Sequence, residues 1–438
     1  MEGETTVNRE EIIRLVICQL SAYGYSSLSQ AIATHTKVPM TAESNSRLEE
    51  LVVLGLRSEK RQVEGADGDY SAAREGDTDT RSVGEYAERS ADRDTADEAG
   101  NGIDLGKADH ILAEVPQLKV WYKTKHKGVA TAAVFSKDGK YIATGSADAS
   151  LKLIEVDRVR NPAAGSARRE DKPVIRTLYH HEAEVTGLAF HPNGLVLASC
   201  SADHTIKLFD LSAAYGKHSF QSFKDNYAYR SIAFHPSGDY LVAGSDACEV
   251  RLYNVRTGKA YLLAAGDGAD LERHSDGITQ VCYSANGALI GSSSRDGTIK
   301  IWDGVSGKCI RTISEAHEGR AVTAVRFSRN SKYVLSTGLD SCVRLWEVSN
   351  GNLAKTYNGA ALDSLNAQAV FSRDEALVMV PDCKANVIVS WDTVTGDLLA
   401  QSADHKQRIT WVAASPTAPA LMTCSVDECV RFWCADTA

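Results

Sequence analysis

The sequence predicts an all-β, seven-bladed propeller preceded by a small all-α module at the N-terminus. Three observations predict it: seven similar strand endings, a constant His-to-Asp spacing that recurs with the same period, and a helical apolar pattern near the start. The endings lie 55, 44, 49, 44, 45 and 42 residues apart, which is close to the period of a four-stranded blade. They are Leu153-Ile154-Glu155, Leu208-Phe209-Asp210, Leu252-Tyr253-Asn254, Ile301-Trp302-Asp303, Leu345-Trp346-Glu347, Ser390-Trp391-Asp392 and Phe432-Trp433-Cys434.

Closure of the ring is predicted from the chain end. Only five residues follow Trp433, so the last blade lacks its outermost strand. The strand-like run Leu118–Tyr122 stands before the first repeat and belongs to no complete blade. We expect it to pair into the seventh blade, which would remove the free sheet edges. The propeller is therefore predicted to span residues 117–438.

Five histidines precede five turn aspartates by 22 or 23 residues, and serine stands two residues before four of these aspartates. This pattern resembles the WD-repeat family, in whose blades His, Asp, Ser or Thr, and Trp form a hydrogen-bonded tetrad. A trio that recurs five times at fixed spacing is interpreted as structural, not catalytic, because it satisfies buried polar groups. The predicted tetrad residues are His126, Asp148, His181, Ser201, Asp203, His274, Ser294, Asp296, Trp302, His317, Asp340, Trp346, His405, Ser425, Asp427 and Trp433.

The third and sixth blades depart from this pattern. The third has Ser245-Asp246-Ala247 with no histidine before it, and the sixth lacks both the histidine and an obvious turn aspartate. Apolar packing alone is expected to hold these two blades together.

Residues 1–57 are predicted to form a helical homodimerisation domain. Apolar residues between Glu10 and Tyr23 follow the stripe of an amphipathic helix, and two further short helices follow it. Three such helices bury little area alone, so self-association is the preferred interpretation, with packing against the propeller as the alternative. The predicted dimer interface consists of Ile13, Val16, Ile17, Leu20, Leu28 and Leu51.

Residues 58–116 are predicted to be an acidic, disordered linker. This segment holds 16 Asp and Glu against 7 Lys and Arg, which accounts for the whole net charge of −9. It contains no Trp or Phe and cannot bury enough apolar surface to offset the entropy of the chain. A solvated tether is preferred to a phosphorylated or partner-binding segment. The short stretch Gly102-Ile103-Asp104-Leu105 is excepted from this assignment as a disordered tether.

Composition and motifs exclude several function classes. No apolar run approaches the roughly 20 residues of a membrane span, and no basic bias outside the linker indicates nucleic-acid binding. The ten cysteines include no CxxC pair, which indicates free thiols in a reducing compartment. No phosphate loop, HExxH or zinc-spaced cluster is present, so no enzyme activity, cofactor or metal site is predicted.

Several stretches resemble the WD-repeat subunit family of cleavage stimulation factors, which assist pre-mRNA 3′-end cleavage and polyadenylation. They are Tyr141–Lys152, Pro173–Tyr179, His235–Asp239, Trp302–Ser306 and Asn330–Ser336. The resemblance implies a nuclear, non-enzymatic scaffold that dimerises through its N-terminus. It also implies a propeller that binds a large helical-repeat scaffold subunit, with the tail of RNA polymerase II as a further partner, while a separate subunit reads the RNA.

The alternative interpretation is a substrate receptor of a cullin-type ubiquitin ligase, another role of WD propellers. Such receptors often carry Arg two residues after a Trp-Asp pair. Here Trp302-Asp303 is followed by Gly304-Val305, and Trp391-Asp392 by Thr393-Val394, so this feature is absent.

Overall fold

The structure is a computed structural model. It describes residue 103 and residues 115–160, 173–212, 218–263, 273–403 and 405–435. The predicted helical module at residues 1–57, with its dimer interface, lies outside the described residues, as does most of the predicted linker. Those assignments stay predictions.

The propeller is confirmed, and its blades are seven four-stranded antiparallel sheets. The first three blades follow one another along the chain. Their strands are β2 (Ala130–Phe135), β3 (Tyr141–Ser146), β4 (Ser150–Glu155) and β5 (Val174–Tyr179); β6 (Val185–Phe190), β7 (Val196–Ser201), β8 (Thr205–Asp210) and β9 (Gln221–Lys224); and β10 (Tyr229–Phe234), β11 (Tyr240–Ser245), β12 (Val250–Asn254) and β13 (Ala260–Leu262).

The next three blades have the same strand order. Their strands are β14 (Ile278–Tyr283), β15 (Leu289–Ser294), β16 (Ile299–Asp303) and β17 (Cys309–Ile313); β18 (Val322–Phe327), β19 (Tyr333–Gly338), β20 (Val343–Glu347) and β21 (Leu353–Tyr357); and β22 (Val370–Phe371), β23 (Leu377–Pro381), β24 (Val387–Asp392) and β25 (Leu398–Ala403).

The seventh blade closes the ring as predicted. It is built from β26 (Ile409–Ala414), β27 (Ala420–Ser425) and β28 (Cys429–Ala435), with β1 (Leu118–Lys125) as its outermost strand. The first and last strands run antiparallel, so that Leu118 faces Ala435 and Lys125 faces Cys429. The ends of the propeller are therefore joined by backbone hydrogen bonds, and no inner strand is left at an open edge.

Burial decreases from the inner to the outer strands of a blade. In β27 all six residues are buried, whereas the three residues of the outermost strand β13 are all exposed. The inner strands lie between two neighbouring blades, and this is why they contain few polar residues other than Ser and Thr. The insertion after β4 begins as a short helix, α1 (Val156–Arg160), whose Val156 and Val159 are buried.

Candidate functional site: histidine tetrads and the two mouths of the channel

Complete tetrads occur in the fourth, fifth and seventh blades. In the fourth, His274 Nδ1 lies 3.1 Å from Asp296 Oδ2, and its Nε2 lies 2.7 Å from Ser292 Oγ. Trp302 Nε1 donates to the same hydroxyl at 2.8 Å. The fifth blade repeats this arrangement with His317, Asp340, Ser336 and Trp346, and the seventh with His405, Asp427, Thr423 and Trp433.

One protonation state satisfies every atom of such a tetrad. The indole N–H donates to the hydroxyl oxygen, the hydroxyl donates to Nε2, and Nδ1–H donates to the carboxylate. Burial lowers the pKa of His274 despite the opposing effect of Asp296, so the ring is neutral near pH 7. Ser292 is fully buried and both of its hydrogen-bonding roles are used. Such a hydroxyl cannot attack a substrate, and the tetrad is therefore structural.

The prediction of Ser201, Ser294 and Ser425 as tetrad members is wrong. The hydroxyl that meets the histidine lies two residues earlier in the strand, as Ser199, Ser292 and Thr423. The three predicted serines instead accept a hydrogen bond from the backbone N–H of the turn aspartate, at 3.1 Å in each case.

Strand register explains this correction. Trp302 pairs directly with Ile290, so Ser292 is its diagonal neighbour on the same face. Ser294 lies two residues further along, at the end of the strand, where its side chain meets the turn. An indole reaches a diagonal neighbour but not the residue beyond it.

The first two blades carry shortened tetrads. Phe209 takes the place of Trp in the second blade, where His181 still contacts Asp203 and Ser199 at 2.7 Å each. Burial opposes ionisation of Asp203, but hydrogen bonds from Thr205, the Glu182 amide and His181 outweigh it and lower its pKa to about 2.

The first blade departs further, because Ile154 takes the Trp position. His126 Nδ1 lies 3.9 Å from Asp148 and meets the Ser150 hydroxyl at 2.9 Å instead. The predicted direct contact between His126 and Asp148 is therefore absent. Burial, with a smaller effect of Lys152, lowers the pKa of His126 to about 4.

The third blade is not held by apolar packing alone. The hydroxyls of Tyr229 and Tyr253 form a buried hydrogen bond of 2.6 Å. Asp225, which stands near the missing histidine in the repeat, pairs with Arg251 at 3.0 Å. Polar groups of other types thus replace the tetrad.

The sixth blade also has polar links, and it has a turn aspartate after all. Asp382 accepts hydrogen bonds from the backbone N–H groups of Ala361 and Lys384. Trp391 donates a hydrogen bond of 3.0 Å to the Asn358 carbonyl, because this blade has no tetrad hydroxyl to accept it. The sequence obscured Asp382 because it lies ten residues before the blade ending, whereas Asp427 lies seven before its own.

A basic residue missed by the sequence analysis recurs two positions before the residue at the tetrad's Trp position. Lys152, Lys207 and Arg344 each donate to the carbonyl of the residue that precedes the blade's histidine. The signal was present in the sequence, since six of the seven blades have Lys or Arg at this position and only the sixth has another residue, Val389.

Threonines of the innermost strands join neighbouring blades, and the sequence analysis missed these as well. Thr279 donates to the Val322 carbonyl at 2.6 Å and Thr323 to the Ala367 carbonyl at 2.8 Å. Thr131, Thr186 and Thr410 make equivalent bonds to the following blade. These donors surround the central channel, where backbone carbonyls would otherwise lack partners.

On the histidine side, the mouth of the channel is polar. Arg230 of the third blade binds Asp246 through two hydrogen bonds of 2.9 and 2.8 Å. Arg295 of the fourth blade donates to the same carboxylate at 3.0 Å. Arg230 stands where other blades carry the joining threonine, and the ion pair between Arg295 and Asp246 links the third and fourth blades. A cavity of about 80 Å³ lies beside it.

The opposite mouth is aromatic and wider, with a cavity of about 530 Å³. We call it the aromatic mouth. Six of the innermost strands end on an aromatic residue that lines it, and Trp411, Arg326, Arg329 and Glu375 also contribute. The six are Phe135, Phe190, Phe234, Tyr283, Phe327 and Phe371.

In the part of the chain that the structure describes, no group of three or more His, Cys, Asp or Glu side chains is placed to hold a metal ion. In the same residues, no helix has the length and hydropathy that a membrane span requires.

Comparison with known proteins agrees with this geometry. The family model of the WD domain, G-beta repeat, matches residues 118–155, 172–210, 218–254, 264–303, 307–347 and 396–434, which leaves most of the irregular sixth blade unmatched. Cleavage stimulation factor subunit 50 of Arabidopsis thaliana is 34% identical over 421 residues, covering 96% of this chain and 94% of that protein. The chain belongs to the WD40-repeat family of cleavage stimulation factor subunit 50.

Another relative covers a smaller share of the chain. Pre-mRNA-processing factor 19 homolog 2 of Arabidopsis thaliana is 27% identical over 180 residues, covering 41% of this chain and 31% of that protein. Among solved structures, the β-propeller domain of Cps50 (Swd1) from Myceliophteria thermophila aligns with a TM-score of 0.59 and 16% identity. The alignment covers 72% of this chain and 99% of the chain in that structure. That similarity shows the fold alone.

Proposed function

We propose that this chain is a non-enzymatic scaffold subunit of a cleavage stimulation complex in pre-mRNA 3′-end cleavage and polyadenylation. The proposal rests on how much of the chain is similar to cleavage stimulation factor subunit 50. The 421 residues aligned with cleavage stimulation factor subunit 50 outnumber residues 117–438, so the similarity also runs through much of the chain before the propeller. Pre-mRNA-processing factor 19 homolog 2, by contrast, is similar over only 41% of this chain.

The proposed scaffold dimerises through its N-terminal helices and binds partner subunits on its propeller. The dimer interface is the apolar stripe of Ile13, Val16, Ile17 and Leu20, together with Leu28 and Leu51. The partners implied by the resemblance are the helical-repeat scaffold subunit and the tail of RNA polymerase II, in the nucleus. The balanced charge outside the linker suits a chain that leaves RNA binding to another subunit.

One purification tests both parts. Two differently tagged copies of the full chain are expressed together and recovered from nuclear extract through one tag. We expect the helical-repeat scaffold subunit and the second tagged copy to be recovered together. Ile17→Asp should remove the second copy, because a charge in an apolar helix interface is costly. Gln19→Asp, which adds the same charge on the polar face of that helix, is the matched control and should retain it.

Two outcomes would contradict the proposal. Recovery of a cullin-ligase adaptor in place of the helical-repeat subunit would favour the substrate-receptor alternative. Recovery of the second copy with Ile17→Asp, at the same yield as with Gln19→Asp, would refute the assigned dimer interface.

A further inference from the structure

Ile103, far outside the repeats, lies against the propeller. Its side chain is buried, with 6% of its surface exposed. Its carbonyl accepts a hydrogen bond of 3.0 Å from Asn330 Nδ2, in the turn between β18 and β19 of the fifth blade. An apolar side chain from an acidic segment thus meets a surface at the edge of the fifth and sixth blades.

The neighbouring turn of the sixth blade contains an unusual glutamate. Between the first two strands, each of the first four blades has a glycine with positive φ in this turn: Gly139, Gly194, Gly238 and Gly287. Ser331 in the fifth blade and Glu375 in the sixth occupy the corresponding place with φ of 58° and 59°, and their N–H groups donate to the Ser328 and Ser372 carbonyls as those of the glycines do to theirs. A residue with a Cβ is strained in this region, so folding alone favours glycine here.

The carboxylate of Glu375 is also buried, with 7% of the residue exposed. One oxygen accepts from the backbone N–H of Arg329. Burial raises its pKa, while the amides of Arg329 and Ile103 face the carboxylate and lower it in part. Among the described residues no hydrogen-bond donor reaches its other oxygen, Oε2. A buried carboxylate in a strained turn is costly, and the amides of Arg329 and Ile103 that face it offset part of this cost.

We propose that the turns of the fifth and sixth blades, with Asn330 and Glu375, form a docking site for the chain's own segment around Ile103. Ile103 fills the apolar part of this site, its carbonyl accepts from Asn330, and its backbone N–H faces Glu375. Arg329 and Glu375 also line the aromatic mouth. The contact made by Ile103 therefore lies beside that mouth.

Attachment within one chain favours this docking. Ile103 precedes Val115 by only 12 residues, and a tether of about this length gives a local concentration on the order of millimolar. A segment with only weak affinity as a free peptide would thus remain mostly bound.

Cleavage of the full-length chain by trypsin tests the proposal. Lys107 lies four residues after Ile103, and Arg81 lies 22 residues before it as an internal reference. Docking should protect Lys107 relative to Arg81. Ile103→Asp should speed cleavage at Lys107 by roughly 10- to 100-fold, the factor that corresponds to losing one buried Ile. Ile103→Val, the matched control, should change the rate by only about two- to tenfold, less than Ile103→Asp does.

Glu375→Gly distinguishes docking from a purely structural role. Glycine suits the left-handed turn, so the melting temperature should stay the same or rise. Cleavage at Lys107 should nevertheless increase by several-fold, because the segment loses its acceptor. Equal cleavage ratios in the wild-type chain, Ile103→Asp and Glu375→Gly would overturn the proposal. Protection that disappears on dilution would overturn docking within one chain, because a second copy would then supply the segment.

A labelled peptide of residues 98–110 provides the converse measurement. It should bind the full-length Ile103→Asp chain, whose site is intact and empty, and it should bind the wild-type chain at least tenfold more weakly. Equal binding to both chains would contradict occupation of the site by the native segment. This result does not depend on which complex the protein joins, so it can fail or succeed independently of the proposed function.

Discussion

The third and sixth blades provide partners for their buried polar groups through individual contacts, whereas the fourth, fifth and seventh blades use one repeated motif. In the regular blades, a histidine connects a turn aspartate to a buried hydroxyl, and an indole shares that hydroxyl. The third blade uses a tyrosine pair and an Asp225–Arg251 ion pair instead. In the sixth, Trp391 donates to the Asn358 carbonyl, and Tyr357 of the fifth blade donates to the Thr393 carbonyl. A blade therefore requires satisfied buried polar groups, and no particular residue type.

The two irregular blades also differ in how they meet their neighbours. Where five other blades have a joining threonine, the third has Arg230, bonded to Asp246. In the sixth, Gln368 donates to the Val412 carbonyl of the seventh blade at 2.7 Å. Departures from the repeat thus occur together, within and between blades, and they introduce charge and amide groups into the channel. Such positions can vary without loss of the ring, and they are where individual members of a repeat family can differ in binding.

The largest expected effect that separates the two kinds of blade is acid sensitivity. Burial lowers the pKa of His126 to about 4, and lowers that of His181 and His274 as well. The unfolded chain binds a proton near pH 6.5, whereas the folded chain resists it, so stability is lost as the pH falls from about 6.5 toward 4. His126 alone should cost about 2–3 kcal/mol by pH 4.5.

Urea unfolding between pH 7.5 and 4.5 measures this loss. The His126→Gln variant should show a shallower decline over the same range, since it has one histidine fewer to titrate. An unfolding midpoint that stays constant across this range would show that the tetrad histidines are not buried in their neutral form.

The next effect concerns which serine serves the tetrad. Ser292→Ala leaves His274 Nε2 and the Trp302 N–H buried and unbonded, and should destabilise the protein by about 2–4 kcal/mol. Ser294→Ala removes only the hydrogen bonds at the turn and should cost about 1 kcal/mol.

A double-mutant cycle with Trp302→Phe sharpens this comparison. Ser292→Ala and Trp302→Phe share a hydrogen bond and should be non-additive by about 0.5–3 kcal/mol, whereas Ser294→Ala and Trp302→Phe should be additive. Additive effects for both pairs, measured by chemical unfolding, would remove Ser292 from the tetrad.

The smallest effect tests the replacement contacts of the third blade. Tyr253→Phe removes the buried hydrogen bond to Tyr229 and should lower the free energy of unfolding by about 0.5–1.5 kcal/mol. Tyr261→Phe, in the exposed strand β13 of the same blade, should leave stability unchanged. If both variants were as stable as the wild-type chain, apolar packing would after all suffice for this blade.

The sequence by itself determined the number of blades, the closing strand and the pairing of histidine with turn aspartate in four blades. These follow from spacing, because each blade repeats the same strand and turn lengths and side chains alternate along each strand. Leu118–Tyr122 could be assigned to the seventh blade because a closed ring leaves no other partner for it.

Only the tertiary structure decided which hydroxyl each indole reaches, how threonines join the blades, and where Ile103 lies. The choice of Ser292 over Ser294 depends on the register between two strands, which their spacing along the chain does not specify. The bonds from Thr279 and from Asn330 cross between segments 43 and 227 residues apart. Contacts of this kind exist only once the blades are arranged around a common axis, so no local pattern in the sequence reveals them.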